Sequence, residues 1–118
     1  MNVEDLDIFK LSHEFTLKIY KITEKFPAIE KLGLTAQMRK AASSICMNLM
    51  EGAYRGGRKE FIYFAGIARG SCGELKYQLI LGKDLKYLEE NDYNDLNESL
   101  KRIISMLSAL IKKLKSKK

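Results

Sequence analysis

The stretch "SSICMNLMEGAYRGGRKEF", residues 43–61, places polar and basic residues where a predicted helix gives way to a glycine-rich turn. Asn48 and Glu51 interrupt a run of Cys, Met and Leu and stand about one helical turn apart, and Ser71 and Glu74 repeat that spacing further along. Because a buried carboxylate without a partner is costly, the two pairs predict a hydrogen-bonded network, with Arg39, Arg55 or Arg69 as counter-charges. This network would set the register between helices or subunits. The alternative is that all four are ordinary solvated side chains.

Residue patterns for catalysis or metal binding are scarce. Di-iron centres in helical bundles need Glu-x-x-His pairs on two helices, whereas the single histidine, His13, is followed directly by Glu14. "GGRKE" lacks the spacing of a phosphate-binding loop, and no G-x-S-x-G motif activates a serine. Cys46 and Cys72 lie far apart, without a CxxC pair, which favours reduced thiols in a core. The sequence therefore predicts a protein that is not an enzyme and that uses no cofactor or metal.

Basic residues support a different function. The 118 residues include 21 Lys and Arg against 15 Asp and Glu, a net charge of +6, which favours an acidic partner such as nucleic acid. No acidic residue occurs from Lys101 onward. A surface for the phosphate backbone is predicted from residues on helix faces and beside the glycine turn: Arg39, Lys40, Arg55, Arg58, Lys59, Lys101, Lys112 and Lys115. For any one of them the alternative is an ordinary solvated face.

Hydrophobic residues recur at steps of three and four, which predicts amphipathic helices at about 5–25, 35–54, 59–88 and 92–115. Thr35 and Asp92 are the predicted N-caps of the second and fourth helices. Gly56 and Gly57 are predicted to end the second helix with positive φ. Short connections then predict one all-α domain, an antiparallel up-down-up-down four-helix bundle over residues 1–118.

Glycines inside the third predicted helix need a physical reason. Gly66, Gly70 and Gly73 each cost ~1 kcal/mol relative to Ala in a helix interior. Gly66 and Gly70 stand one turn apart on one face, which predicts close packing of another helix against them. The alternative is a kink in a loosely packed helix.

The chain has no feature of a membrane protein. No apolar run approaches the ~20 residues that a membrane-spanning helix needs. The first residues, "MNVEDLD", lack the basic-then-apolar order of a secretory signal. The expected compartment is the cytoplasm.

An ordered set of residues over nearly the whole chain resembles one family. The set comprises Phe26-Pro27, Leu34, Gln37, Arg39, Ala41-Ala42, Ser44-Ile45, Asn48, Glu51-Gly52, Lys59-Glu60-Phe61, Ala68, Gly70-Ser71 and Glu74-Leu75. It resembles the four-helix-bundle proteins encoded in intervening sequences of bacterial 23S rRNA genes, sometimes catalogued as ribosomal proteins. The accessory variability protein of diversity-generating retroelements belongs to the same family. The chain departs from the family at Cys46-Met47, where Pro and a small residue are usual, and at Met50, where Ala is common.

The resemblance implies a bundle that assembles into a homopentameric ring with a positively charged surface, and it implies no catalytic residues. For the retroelement members it implies binding to nucleic acid and to a reverse transcriptase. We therefore predict a non-enzymatic, oligomeric protein that binds RNA or an RNA–DNA intermediate without reading its sequence. The alternative is an assembly scaffold or adaptor for a partner protein such as a reverse transcriptase.

Overall fold

The computed structural model describes residues 2–117. Within that range the chain forms four α-helices and no strand. The α-helices are α1 (Asp7–Thr23), α2 (Leu34–Arg55), α3 (Arg58–Asp84) and α4 (Glu90–Lys115). Short 3-10 turns at Val3–Asp5 and Ala28–Glu30 precede α1 and α2. The predicted all-α, four-helix class is confirmed.

Contacts between α1 and α2 show that these helices run antiparallel. Arg39, near the start of α2, donates hydrogen bonds to Tyr20 and Thr23 at the end of α1. Further along α2, the Cys46 thiol lies 3.6 Å from the carbonyl oxygen of Phe9, near the start of α1. The order of contacts is therefore reversed between the two helices.

The later pairs follow the same rule. Only Gly56 and Gly57 separate α2 from α3, and their φ values of 77° and 91° confirm the predicted positive-φ turn. In the α3–α4 pair, Lys83 near the end of α3 contacts Tyr93 near the start of α4. α1 and α3 each pack against both α2 and α4, and these contacts fit the predicted up-down-up-down order.

The apolar stripes of the four helices meet in one core. Its largest fully buried hydrophobic side chains are Phe15, Ile19, Met38, Ile45, Leu49, Leu75, Leu79, Leu100, Ile103 and Leu107. Burial of one such side chain stabilises the fold by ~1.5–3 kcal/mol. This core holds α3 and α4 together along their length, and thereby positions the charged residues on their outer faces.

Two features at the start of α2 differ from the prediction. The helix begins at Leu34, and Thr35 is buried within its first turn instead of capping it. The Glu30 side chain takes the capping role, because its Oε1 accepts the Leu34 N–H at 3.0 Å. A cap supplied from the preceding 3-10 turn depends on tertiary geometry that the helical pattern of α2 does not contain.

The α3–α4 connection also differs from the prediction. α3 ends at Asp84 instead of about 88, and α4 begins at Glu90 instead of 92. The chain reverses at Lys86, which has φ 68°. The Gly82 carbonyl accepts hydrogen bonds from the N–H groups of Tyr87 and Leu88. Asp92 therefore lies in the first turn of α4, where its charge suits the helix dipole but does not cap.

Candidate nucleic-acid interface

Cationic side chains line the outer seam between α3 and α4. Arg69 lies 3.4 Å from the Ser108 hydroxyl, and the Lys83 ammonium lies 4.4 Å from the centre of the Tyr93 ring. These two contacts show which edges of α3 and α4 face each other. Lys76 is seven residues from both Arg69 and Lys83, which places the three cations along the same edge of α3.

The facing edge of α4 adds three lysines. Lys101 and Lys115 are each seven residues from Ser108, and Lys112 is four residues from it. All three lysines are exposed. Lys101 lies 3.6 Å from Glu98, but both side chains are more than half exposed, so this ion pair holds the lysine only weakly. We call Arg69, Lys76, Lys83, Lys101, Lys112 and Lys115 the basic seam.

A second group of cations lies at one end of the bundle. Because α2 and α4 both run antiparallel to α3, the α2–α3 turn and the C-terminus of α4 lie at the same end. Arg55, Arg58 and Lys59 at the turn are therefore near the level of Lys112 and Lys115. We call Arg55, Arg58 and Lys59 the basic turn.

Arg55 is held in a defined position at this turn. Its Nη2 and Nε donate to Glu51 Oε2 at 2.9 and 3.2 Å, and its guanidinium carbon lies 5.2 Å from the centre of the Phe64 ring. The hydrogen bond and the charge of Glu51 raise the pKa of Arg55 above its ordinary value. The carboxylate also offsets part of the positive charge that Arg55 contributes to the turn.

The structure does not bring Arg39 and Lys40 to this surface. The Arg39 Nε donates to Thr23 Oγ1 at 2.9 Å, its Nη2 donates to the Tyr20 carbonyl at 3.0 Å, and its guanidinium lies 4.7 Å from the Tyr20 ring centre. A cation suits this place because the carbonyls at the end of α1 carry partial negative charge. Lys40 is exposed and lies about 22 Å along α2 from Arg55.

The structure does not join the four residues of the predicted polar network into one hydrogen-bonded unit, although Asn48, Ser71 and Glu74 line one groove. Glu51 is exposed and pairs with Arg55 on its own helix, because four residues separate them on one face. Glu74 is exposed and forms no ion pair within residues 2–117. Asn48 and Ser71 do lie at the α2–α3 contact, but Ser44 joins them.

Ser44 was missed by the sequence-based prediction. Its hydroxyl donates to the Ser71 hydroxyl across the two helices, and its carbonyl accepts the Asn48 Nδ2–H at 2.7 Å. The signal that could have identified it is spacing: Ser44 stands four residues before Asn48, on the same face of α2. This small uncharged contact fixes the α2–α3 register without burying a carboxylate.

The predicted close packing at Gly66 and Gly70 is wrong within this chain. An ideal Cβ built on either glycine meets no atom of residues 2–117 within 4 Å, so both face away from the described bundle. Gly52 is the glycine that permits a close helix contact. A Cβ there would lie 2.9 Å from Phe64 Cβ and 3.3 Å from Phe61 Cα.

The potentially reactive groups are dispersed. No three His, Cys, Asp or Glu side chains within residues 2–117 are grouped so that they could hold a metal ion. Cys46 and Cys72 are free, and burial raises the pKa of their thiols to about 11 and about 12. Because the thiolate is the reactive form, both side chains are poor nucleophiles near neutral pH.

The fold and the charged surface together define a class: a four-helix bundle with cations along one helix–helix seam and at one end. The family model described as "23S rRNA-intervening sequence protein" matches residues 4–109. The chain therefore belongs to the 23S rRNA-intervening sequence protein family, as its residues predicted.

Among residues 2–117, none of the helices combines the length and the apolar character that a membrane span requires.

A solved structure supports the same assignment. The chain is similar to a crystal structure from Bacteroides thetaiotaomicron VPI-5482, described as a protein with unknown function from the S23 ribosomal protein family. The two share 25% sequence identity and superpose with a TM-score of 0.79, over 89% of this chain and 98% of the other. No curated protein matches the sequence.

Proposed function

We propose that this protein is a non-enzymatic, oligomeric nucleic-acid-binding protein whose basic seam contacts the phosphate backbone. The observation that carries the proposal is the convergence of six cations from α3 and α4 on one seam. Glu98 is the one carboxylate within residues 2–117 that forms an ion pair with a member of this seam. The basic turn extends the cationic surface around the end of the bundle.

The spacing of the cations suits a polyanion. The seven-residue steps between Arg69, Lys76 and Lys83 correspond to about 10.5 Å each along α3. The two rows lie on helices whose axes are typically 8–10 Å apart. Nucleic-acid duplexes carry one phosphate charge per ~1.7 Å of axis, so several phosphates would pass within reach of the flexible side chains.

The character of the seam favours binding without sequence readout. Contacts with phosphate oxygens position a nucleic acid but carry no sequence information. Single-stranded bases are held by stacking on exposed aromatic rings. Tyr93 lies beside the seam, but the Lys83 ammonium lies over its ring, so this ring does not offer a free stacking surface. Because the family is described by 23S rRNA intervening sequences, RNA is the first nucleic acid to test.

The test is the salt dependence of RNA binding, measured by fluorescence anisotropy with an RNA duplex of arbitrary sequence. About five phosphate contacts predict a fall in affinity of about 500-fold between 50 and 200 mM salt. A second duplex of unrelated sequence should bind within a few-fold of the first. An affinity that is unchanged over this salt range would contradict the proposal.

The alternative function is that of a scaffold or adaptor for a protein partner, such as a reverse transcriptase. It is favoured by the exposed apolar residues on α3, among them Tyr63 and Tyr77, each 63% exposed. A reverse-transcriptase gene beside the gene for this chain would favour the adaptor role. A reading frame inside a 23S rRNA gene would favour the role at an intervening sequence.

The proposal includes a homo-oligomer, a pentamer by family resemblance, and a cytoplasmic location. Reduced cysteines are typical of the cytoplasm, and Cys46 and Cys72 are free thiols. The molar mass in solution tests the assembly separately from RNA binding. A pentamer should have five times the 13.5 kDa mass of the chain.

A further inference from the structure

A polar groove between α2 and α3 contains a buried acceptor without a donor. The groove has a volume of about 360 Å³, and Gln78 lines its α3 wall. Gln78 is only 8% exposed, and its Oε1 has no hydrogen-bond partner within the described chain. A buried polar atom left unpaired destabilises the fold, and few such atoms occur in native proteins. A donor from outside the chain would remove this cost.

The neighbouring side chains indicate what kind of donor fits. Glu74 lies one helical turn before Gln78, lines the same groove and forms no ion pair within residues 2–117. The groove therefore presents a carboxylate and an amide oxygen on adjacent turns of one wall. An ammonium or guanidinium group can donate to both oxygens and also neutralise the carboxylate.

The outward face of α3 runs beside this groove and is unusually apolar. Tyr63, Ile67, Tyr77 and Ile80 are 63%, 38%, 63% and 41% exposed. Contiguous exposed apolar residues on a soluble protein mark a contact surface. Between them lie Gly66, Gly70 and Gly73, and a Cβ on any of these three would meet no atom within 4 Å.

These glycines lower the helix propensity of α3 without permitting a close contact with any other part of the chain that the structure describes. Each is less favourable than Ala in a helix interior. A helix with no side chains at these positions can be approached closely by another backbone, as Gly52 is approached within the bundle by Phe61 and Phe64. The compensating contact for Gly66 and Gly70 would therefore lie in another molecule.

We infer that the outward face of α3 and the α2–α3 groove bind a second copy of this chain, and that a Lys or Arg side chain of that copy enters the groove. There it donates hydrogen bonds to Gln78 Oε1 and Glu74. A copy is the occupant that charge favours, because the chain carries 21 Lys and Arg. The groove is incomplete without this side chain.

This inference rests on the oligomeric part of the proposed function and adds the surface and the chemistry of the contact. The basic seam lies on the edge of α3 that faces α4, because Arg69 contacts Ser108 there, whereas the groove lies on the edge of α3 that faces α2. Assembly through the apolar face would leave the seam available to nucleic acid. Assembly and RNA binding can therefore fail independently.

The test is the molar mass by light scattering over a range of chain concentrations, for wild type, Glu74→Lys and Gln78→Leu. Glu74→Lys should dissociate the assembly to chains of 13.5 kDa. Gln78→Leu should raise the dissociation constant at least tenfold while leaving the melting temperature of the monomer unchanged or higher, because it removes an unpaired acceptor. Glu14→Lys, the same change of charge at an exposed residue of α1, should assemble as wild type does.

Each other outcome overturns the inference. If wild type assembles and both groove variants assemble equally well, the copies meet elsewhere and the groove holds only water. If wild type stays monomeric at about 100 µM, the oligomeric part of the proposed function fails as well, while RNA binding is judged by its own salt test.

Lys40 is the competing cation within the chain, because it lines the same groove. Lys40→Met should leave the assembly intact if a copy supplies the cation. If Lys40→Met instead destabilises the monomer and Gln78→Leu abolishes that effect, Lys40 itself fills the groove and the inference is wrong.

Discussion

Replacing Gly66 and Gly70 with alanine should stabilise the isolated chain. Among the described residues, no atom lies within 4 Å of a Cβ built at either position, so each alanine adds a methyl group without a clash. Alanine is favoured over glycine in a helix interior by ~1 kcal/mol. The two added methyl groups share no packing partner within residues 2–117, so their effects should add to about 2 kcal/mol in the free energy of unfolding.

The assay is urea unfolding followed by circular dichroism, at a concentration where light scattering shows a monomer. Gly52→Ala is the matched control, because its Cβ would lie 2.9 Å from Phe64 Cβ. Overpacking costs ~1–3 kcal/mol, which should cancel or exceed the gain in helix propensity. Gly52→Ala should therefore be neutral or destabilising.

At concentrations where the chain assembles, added side chains at positions 66 and 70 should destabilise the assembly if a second copy packs closely on α3. Gly66→Leu/Gly70→Leu would then weaken the assembly while the monomer remains stable. The reasoning is refuted if the double alanine variant destabilises the monomer, because that would mean that these glycines are packed inside the bundle.

Four further predictions concern charge and thiols. Replacing Lys76 and Lys101 with glutamine should make the slope of log affinity for RNA against log salt shallower, by the amount that corresponds to about two phosphate contacts. The same replacement of two exposed lysines of α1 should change this slope little. Arg39→Met should lower the free energy of unfolding by about 1–3 kcal/mol, because it removes hydrogen bonds between α1 and α2, and it should leave RNA affinity within twofold; a large loss of affinity without a loss of stability would reverse this assignment. Cys46, whose thiol pKa is about 11, should react with iodoacetamide at pH 8 roughly 100-fold more slowly than an unfolded cysteine, and Cys72 should react more slowly still. Rapid labelling of the folded protein at pH 8 would contradict the burial of the thiols. Because burial favours the protonated thiol, the free energy of unfolding should fall as the pH rises from about 9, the thiol pKa in the unfolded chain, towards about 11, its pKa in the folded protein.

The helical repeat explains which parts of the fold could be predicted. Residues three and four apart share one face of a helix whatever surrounds them, so the apolar stripes indicated four helices and a bundle. The Gly56-Gly57 turn was predictable for an equally local reason, since glycine adopts positive φ without strain. The family followed from an ordered set of residues and required no structure.

The candidate site depended on contacts that local patterns do not contain. Periodicity groups Gly66 with Gly70, but it does not say whether that face meets a neighbouring helix or solvent. It likewise places Arg39 on a helix face without revealing that the end of α1 supplies its acceptors. Glu51 illustrates the same limit, because its pair with Arg55 is exposed on one helix and is not part of the buried network between helices that the spacing predicted.

The sequence by itself therefore determined the helices, the turn between α2 and α3, the surplus of positive charge and the family. Tertiary structure decided how each helix is rotated about its axis, and with it which cations line the basic seam, which serine pair joins α2 to α3 and which glycines remain uncovered. The physical reason is that hydrogen bonding and side-chain periodicity act within a helix. The rotation of one helix against another is set by packing volumes on both, such as the space left by Gly52 for Phe61 and Phe64.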